Sequence, residues 1–278
     1  MSGHDCESSV WFPSANRKST AKIRLFCFPY AGGNSSLFSA WPEYFSDLVE
    51  VCPVNLPGRG VRFHDKAFTQ LAPLARELAT AIAPCLDIPF AFFGHSLGGL
   101  LAFELAHELR AAHRMMPFCL FVSGCRTPRR DVPKRTLHDL PEDEFLTEIK
   151  RIGGTPEDIL NNRELMSMML PTLRADFSLW ETYRCMRSEP LTCPIVAFGG
   201  LQDSRVSCEQ LESWCKETRG QFSLHWFPGG HFFLHAQTMP LLAMIARYLE
   251  PQVHRMALHM PLSAVRYRQN GAQDYDLF

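Results

Sequence analysis

Six short apolar runs, at residues 23–28, 51–55, 90–93, 120–122, 195–198 and 222–227, are separated for the most part by stretches with helical periodicity. Runs this short and this continuous suit strands buried on both faces. Strands of that kind alternating with helices form a mostly parallel sheet with helices packed against it. Leu71, Leu74, Leu78 and Ile82 fall on one helical face after the second run, and Leu97, Leu101, Leu105 and Leu109 do so after the third. The fold class is therefore α/β. With 278 residues, 46% of them hydrophobic, the chain is long enough to bury one sizeable core around such a sheet.

The alternation is interrupted once, over about 126–189. Arg126-Thr127-Pro128-Arg129-Arg130-Asp131-Val132-Pro133 reads as a polar, proline-broken loop. Phe145, Leu146, Ile149 and Ile152 then fit an amphipathic helix ended by Gly153-Gly154, and a second helix is expected to start with Thr155 as cap and Pro156 as first residue. A third, from Arg163 to about Arg184, carries Leu165, Met166, Met168, Met169, Leu170, Leu173, Phe177 and Trp180. An insertion of helices after a sheet strand would sit over the strand ends where ligands bind. Pro133 and Gly153-Gly154 are its candidate hinges. Residues 1–20 read as a polar tail, 21–250 as the folded domain and 251–278 as a second tail for which disorder is the default.

The chemistry is concentrated in Gly94-His95-Ser96-Leu97-Gly98, which follows an apolar strand and opens a helix. A serine on a sharp strand-to-helix turn lifts its hydroxyl above the sheet, and glycines on either side let the backbone pack around the turn. Ser96 is the candidate nucleophile. It needs a base and an orienting carboxylate, arriving in the order Ser, Asp or Glu, His. His231 follows Gly229-Gly230 at the end of the last strand and is the candidate base, preferred to His235 on the helix expected next. Asp203 is the first carboxylate on the loop after the preceding strand and is the candidate acid. Asp176 competes with it, but a pairing with Arg174 or a capping role suits that residue better. Two backbone N–H groups must face the developing oxyanion. Leu97, after the nucleophile, offers one, and Ala31 in Pro29-Tyr30-Ala31-Gly32-Gly33 offers the other.

A net charge of −1 with no long basic stripe argues against nucleic acid as partner. The first residues lack the pattern of a secretory signal, and no apolar stretch reaches bilayer length, so the expectation is a cytoplasmic protein with no membrane association. The ten cysteines show no Cys-x-x-Cys pair and no ligand cluster with histidine. Reduced thiols and no metal are expected.

Several further strings act together: Leu56-Pro57-Gly58-Arg59-Gly60, Leu140-Pro141, Gly153-Gly154-Thr155-Pro156, Leu173-Arg174-Ala175-Asp176-Phe177 and Gly229-Gly230-His231-Phe232-Phe233-Leu234. With the serine turn and the 29–33 loop, they make residues 23–249 resemble the type II thioesterases of polyketide and nonribosomal peptide synthesis and the related fatty-acid-synthase thioesterases. The resemblance implies an α/β-hydrolase with a mobile helical lid. Its substrate would be an acyl thioester on the 4'-phosphopantetheine arm of a carrier protein, with no cofactor of the enzyme's own and the enzyme acting as a monomer. The family's triad falls on Ser96, Asp203 and His231, and its oxyanion amides on Ala31 and Leu97. Many relatives carry His where this chain has Tyr30. Tyr30, Arg59, Met168, Met169 and Phe177 are the candidate substrate contacts, the methionines because they adapt to varied acyl chains. Arg59 could meet the arm's phosphate, although a structural ion pair is the stronger reading. The alternatives are a medium-chain fatty acyl thioesterase, an acyltransferase with the same triad, and a noncatalytic carrier-binding module.

Overall fold

All six expected strands form in the computed structural model, which describes residues 10–12, 20–129 and 136–258. They are β1 (Ile23–Phe28), β2 (Val49–Pro53), β3 (Phe90–His95), β4 (Cys119–Ser123), β5 (Ile195–Gly200) and β6 (Phe222–Phe227). β2 ends within its apolar run: the Val54 N–H still donates to the Cys27 carbonyl of β1 at 2.9 Å, and the N–H of Asn55 turns away to the Trp11 carbonyl at 2.8 Å. Every neighbouring pair is parallel, in the order β2-β1-β3-β4-β5-β6. The chain steps from β1 out to β2, returns across β1 to β3, and continues the other way. At that reversal the loops after β1 and β3 diverge from adjacent strand ends, which opens the crevice used by ligands in sheets of this kind.

The helices are α1 (Leu71–Ile82), α2 (Leu97–His113), α3 (Glu142–Ile152), α4 (Glu157–Leu160), α5 (Arg163–Thr182), α6 (Cys208–Glu212), α7 (Phe233–Ala236) and α8 (Thr238–Leu258). Successive strand residues feed opposite faces of the sheet. Phe26, Phe28, Phe92 and Val122 join Leu74, Leu78, Leu101 and Leu105 of α1 and α2 in one core. Leu25, Cys27, Phe93 and Phe121 join Leu241, Leu242, Ile245 and Leu249 of α8 in the other. The unbroken apolar run of β3 is thus explained by two cores drawing on it. Ser207 and Gln210 form a reciprocal capping box and start α6.

The ends hold more structure than their average polarity suggests. Trp11 and Phe12 are buried in the first core, and the Arg62 guanidinium lies 4.0 Å over the Trp11 ring. α8 continues through Pro251 to Leu258, with Val253 buried in the second core. In both places one or two apolar side chains recruit a segment that composition alone assigns to a tail. Among the described cysteines eight are free thiols, and Cys85 departs from the expectation by being disulfide-bonded. Spacing along a sequence does not report proximity in space.

The insertion builds a core of its own. Phe145 and Ile149 of α3 pack with Met166, Leu170, Leu173 and Phe177 of α5, and the partly buried Ala31 is the single residue from outside the insertion in that cluster. Gly153 ends α3 with φ +78°. The next helix starts one residue later than expected, with Pro156 rather than Thr155 at its cap. Asn162 accepts from the Leu165 N–H and starts α5. Pro133, the other candidate hinge, lies outside the described residues.

Candidate active site

Ser96 stands between the last residue of β3 and the first of α2 with φ +54° and ψ −117°, a conformation a non-glycine residue adopts only under constraint. The constraint is visible on both sides. A Cβ on Gly94 would come within 2.2 Å of the Gly98 carbonyl group, and one on Gly98 within 2.2 Å of the Phe28 carbonyl oxygen. Glycine at both positions lets α2 start directly against β1 and β3. The Ser96 N–H donates to the Ser123 carbonyl at 2.8 Å, which ties the turn to β4. Leu97, as the first residue of α2, has an N–H with no partner inside the helix.

His231 and Asp203 arrive on the loops after β6 and β5. Those loops are stitched together: Leu201 N–H donates to the Phe227 carbonyl at 2.8 Å, and Gln202 N–H to the Gly229 carbonyl at 2.9 Å. His231 Nδ1 lies 2.8 Å from Asp203 Oδ2, and His231 Nε2 lies 3.2 Å from Ser96 Oγ. The other Asp203 oxygen accepts from the N–H groups of Arg205 (2.8 Å) and Val206 (3.2 Å). Arg126 Nε donates in turn to the Arg205 carbonyl at 2.8 Å. Burial alone would push the Asp203 carboxyl up, but the His231 hydrogen bond and charge and the two amides together hold it below the ordinary carboxylate value. The carboxylate is therefore ionised and oriented. Beside it, His95 is wholly buried with Nδ1 2.9 Å from Ser123 Oγ. Burial, and after it the imidazoles of His231 and His235, push His95 well below the usual histidine range. It adds no charge next to His231 at neutral pH.

The loop after β1 makes a tight turn, with the Gly33 N–H donating to the Tyr30 carbonyl at 2.9 Å and Gly32 at φ +77°. Ala31 keeps negative φ, so the turn is type II, whose third position favours glycine. The Gly32 N–H is spent on Asp176 Oδ2 of α5 at 2.7 Å. Asp176 is paired not with Arg174 but with Arg59, which holds both its oxygens at 2.6 Å. Arg59 thus takes the structural role and does not line the cavity. Arg174 instead donates to the His138 carbonyl and stacks 4.5 Å over Phe145. His235, on α7, lies 3.1 Å from the Tyr30 hydroxyl and not at Ser96.

Ser96, Leu97, Ala31, Tyr30 and His231 all line one cavity that opens to solvent. Its far wall comes from the insertion: Ile149 and Ile152 of α3, and Leu173, Phe177 and Trp180 of α5. Phe177 is where the sequence placed it. Met168 is not: it is exposed on the outer side of α5, and Met169 packs against the insertion's core without reaching the cavity. The spacing i, i+4, i+7 of Leu173, Phe177 and Trp180 is the signal that picks the inward stripe, because only one face of a helix can line a wall. Among the described residues no cluster of metal-binding side chains occurs, and no helix is long and apolar enough to cross a membrane.

Comparison with known proteins agrees over nearly the whole described domain. The thioesterase domain family matches residues 23–249. The chain is 43% identical over 239 residues to the gramicidin S biosynthesis protein GrsT of Aneurinibacillus migulanus, covering 86% of this chain and 93% of that protein. Among solved structures it resembles RedJ, a thioesterase from the prodiginine biosynthetic pathway in Streptomyces coelicolor, with a TM-score of 0.75 and 38% identity over 83% of this chain and 91% of that one. The type II thioesterase BorB from the borrelidin biosynthetic cluster gives a TM-score of 0.77 and 34% identity, covering 83% of this chain and 94% of that one. The sheet, its flanking helices and these neighbours place the fold among the α/β-hydrolases. The chain belongs to the thioesterase domain family.

Proposed function

We propose that this chain is a type II thioesterase that hydrolyses acyl groups from the 4'-phosphopantetheine arm of a carrier protein, clearing or releasing chains during polyketide or nonribosomal peptide synthesis. The observation that carries the reading is one imidazole bridging a carboxylate at 2.8 Å and a serine hydroxyl at 3.2 Å, in the lining of a cavity whose far wall is largely apolar. The names of GrsT, RedJ and BorB, each tied to a natural-product pathway, support the setting.

In the proposed cycle Ser96 Oγ attacks the thioester carbonyl while His231 Nε2 takes its proton. Asp203 fixes the tautomer through Nδ1 and stabilises the imidazolium. The N–H groups of Ala31 and Leu97 receive the developing oxyanion. Collapse of the tetrahedral intermediate breaks the C–S bond, and His231 returns its proton to the departing sulfur. Water then attacks the acyl-serine with His231 again as base, and the carboxylic acid leaves. Neither transfer needs a metal or a cofactor of the enzyme's own, because a thiolate leaves readily and the two amides carry the charge.

Mass spectrometry of a panel of acyl-loaded carrier proteins, incubated with the enzyme in H₂¹⁸O, tests the whole reading. The expected result is loss of the acyl mass from the carrier arm and one ¹⁸O in the released acid. Transfer to an added alcohol or amine in place of water would make the chain an acyltransferase, cleavage confined to medium-length fatty acyl groups would make it a fatty acyl thioesterase, and an untouched panel would overturn catalysis altogether.

A further inference from the structure

The insertion meets the loop after β1 at more than one point, and the contacts are specific. Asp176 Oδ2 accepts from the Gly32 N–H at 2.7 Å, and one turn earlier on α5 a Cβ added to Gly32 would lie 2.5 Å from Leu173 Cδ2. Arg59 closes the arrangement from the loop after β2. Its two terminal nitrogens hold the Asp176 carboxylate end-on at 2.6 Å each, and Nη1 also donates to the Gly33 carbonyl at 3.2 Å. Both charges are almost fully withdrawn from solvent, with side chains 9% and 1% exposed.

The chemistry of a type II turn gives this arrangement a purpose. Types I and II differ by a flip of the peptide between the two central residues, here Ala31 and Gly32. In the form observed, the Gly32 N–H points at Asp176. Flipping that peptide would swing the Ala31 carbonyl oxygen toward a buried carboxylate, which repels it. The carboxylate therefore fixes the Ala31–Gly32 peptide and ties the turn to α5 directly beside Ala31, which sets where the Ala31 N–H stands relative to Ser96. A bare carboxylate this near would oppose an oxyanion, and the bidentate guanidinium neutralises it.

We propose that Asp176, paired with Arg59, is a positioning residue for the oxyanion hole: it anchors the Tyr30-Ala31-Gly32-Gly33 turn at the place where the Ala31 N–H meets the substrate, and it does so only while α5 is seated. The proposal rests on the reading of Ser96 as nucleophile and Ala31 as oxyanion donor. It assigns the insertion a part in rate as well as in substrate choice.

The test compares three proteins: wild type, Asp176→Leu, which keeps the volume but removes the acceptor, and the double variant Asp176→Asn with Arg59→Gln, which keeps an acceptor for the Gly32 N–H without burying a lone charge. Steady-state turnover of an acyl thioester is measured with inhibition by a matched trifluoromethyl ketone, which a serine nucleophile converts into a hemiketal oxyanion. Thermal unfolding of each protein is recorded alongside. Loss of one oxyanion donor costs about 10²- to 10³-fold in kcat. Asp176→Leu is expected to lose about 10²-fold in kcat with KM within about threefold, and to lose the same factor in affinity for the ketone. The double variant is expected to recover most of both, even where its melting temperature stays below wild type. A folded Asp176→Leu with unchanged kcat, or losses that follow melting temperature across the three proteins, would overturn the proposal. Failure of the ketone to inhibit wild type, together with turnover by Ser96→Ala, would instead remove the serine-hydrolase reading beneath it.

Discussion

The two halves of the site are held in different ways. On one side, Ser96, His231 and Asp203 hang from the ends of β3, β6 and β5, and their polar contacts run among the loops after β4, β5 and β6. On the other, the turn carrying Ala31 is held by a charged pair shared between the loop after β2 and a helix of the insertion. In the proposed mechanism proton transfer and the Leu97 amide are fixed by the sheet, while the Ala31 amide and the acyl wall depend on the insertion. A rigid scaffold sets the chemistry and a separable layer tunes it.

The largest expected effects fall on the sheet-borne half. Ser96→Ala should lower turnover by about 10⁴-fold or more, and Asp203→Asn by roughly 10³- to 10⁴-fold, with little change in melting temperature for either. Single-turnover hydrolysis and a thermal scan on the same samples check both. If Asp203→Asn were silent, the orienting acid would have to be sought elsewhere, and the division between the halves would fail.

An intermediate effect sharpens the insertion's side of the contrast. Phe177 faces the cavity, whereas Met168, nine residues earlier on the same helix, is 47% exposed on its outer side. Phe177→Trp should shift preference toward shorter acyl groups by about tenfold in relative kcat/KM, since a mismatch in an apolar pocket is worth roughly 1–3 kcal/mol. Met168→Trp should leave the chain-length profile unchanged. Competition assays with mixed acyl thioesters read both, and equal profiles for Phe177→Trp and wild type would show that this wall does not set acyl length.

The smallest effect is on the scaffold and separates its acid sensitivity from that of the site. His107 on α2 is buried, and burial with the nearby charges of Arg110, Arg187 and Arg129 pushes it down to about 3. Because its folded value is lowered, it costs nothing above the ordinary histidine value of about 6.5. Below that value the unfolded chain takes a proton that the folded chain refuses, and stability falls as pH drops, by at most about 1.4 kcal/mol per unit. His107→Leu should flatten the slope of unfolding free energy between about pH 6.5 and 4.5 in urea titrations while leaving activity at neutral pH intact. An undiminished slope would place the acid sensitivity in other groups.

Much of this was legible in the sequence because the signals were local. The strands of a parallel sheet announce themselves as short apolar runs, and the serine turn carries its glycines within two residues on either side. The meeting of His231 and Asp203 with Ser96 was legible because each follows the end of one strand. The partner of Asp176 was not legible: Arg59 lies 117 positions away and belongs to a different loop, and nothing in either neighbourhood pointed to the other. Composition misled at Met168, where a helix rich in methionine suggested a lining, while the geometry of a helix lets only one stripe face inward. It misled again at Trp11 and Phe12, whose burial is set by a groove that the rest of the chain creates.

The separate apolar cluster of α3 and α5 bears on how the molecule breathes. Its members come from the insertion with the exception of Ala31, and only the far end of α5, through Leu179, also enters one of the two cores that flank the sheet. For α3 and the start of α5, opening is expected to need less free energy than global unfolding. The amides of α3 and the start of α5 then exchange with solvent through subglobal fluctuations, while those of β1, β3 and β4 wait for the whole domain to come apart. Admission of a long acyl arm and survival of the fold are in this way placed on different rungs of one stability ladder.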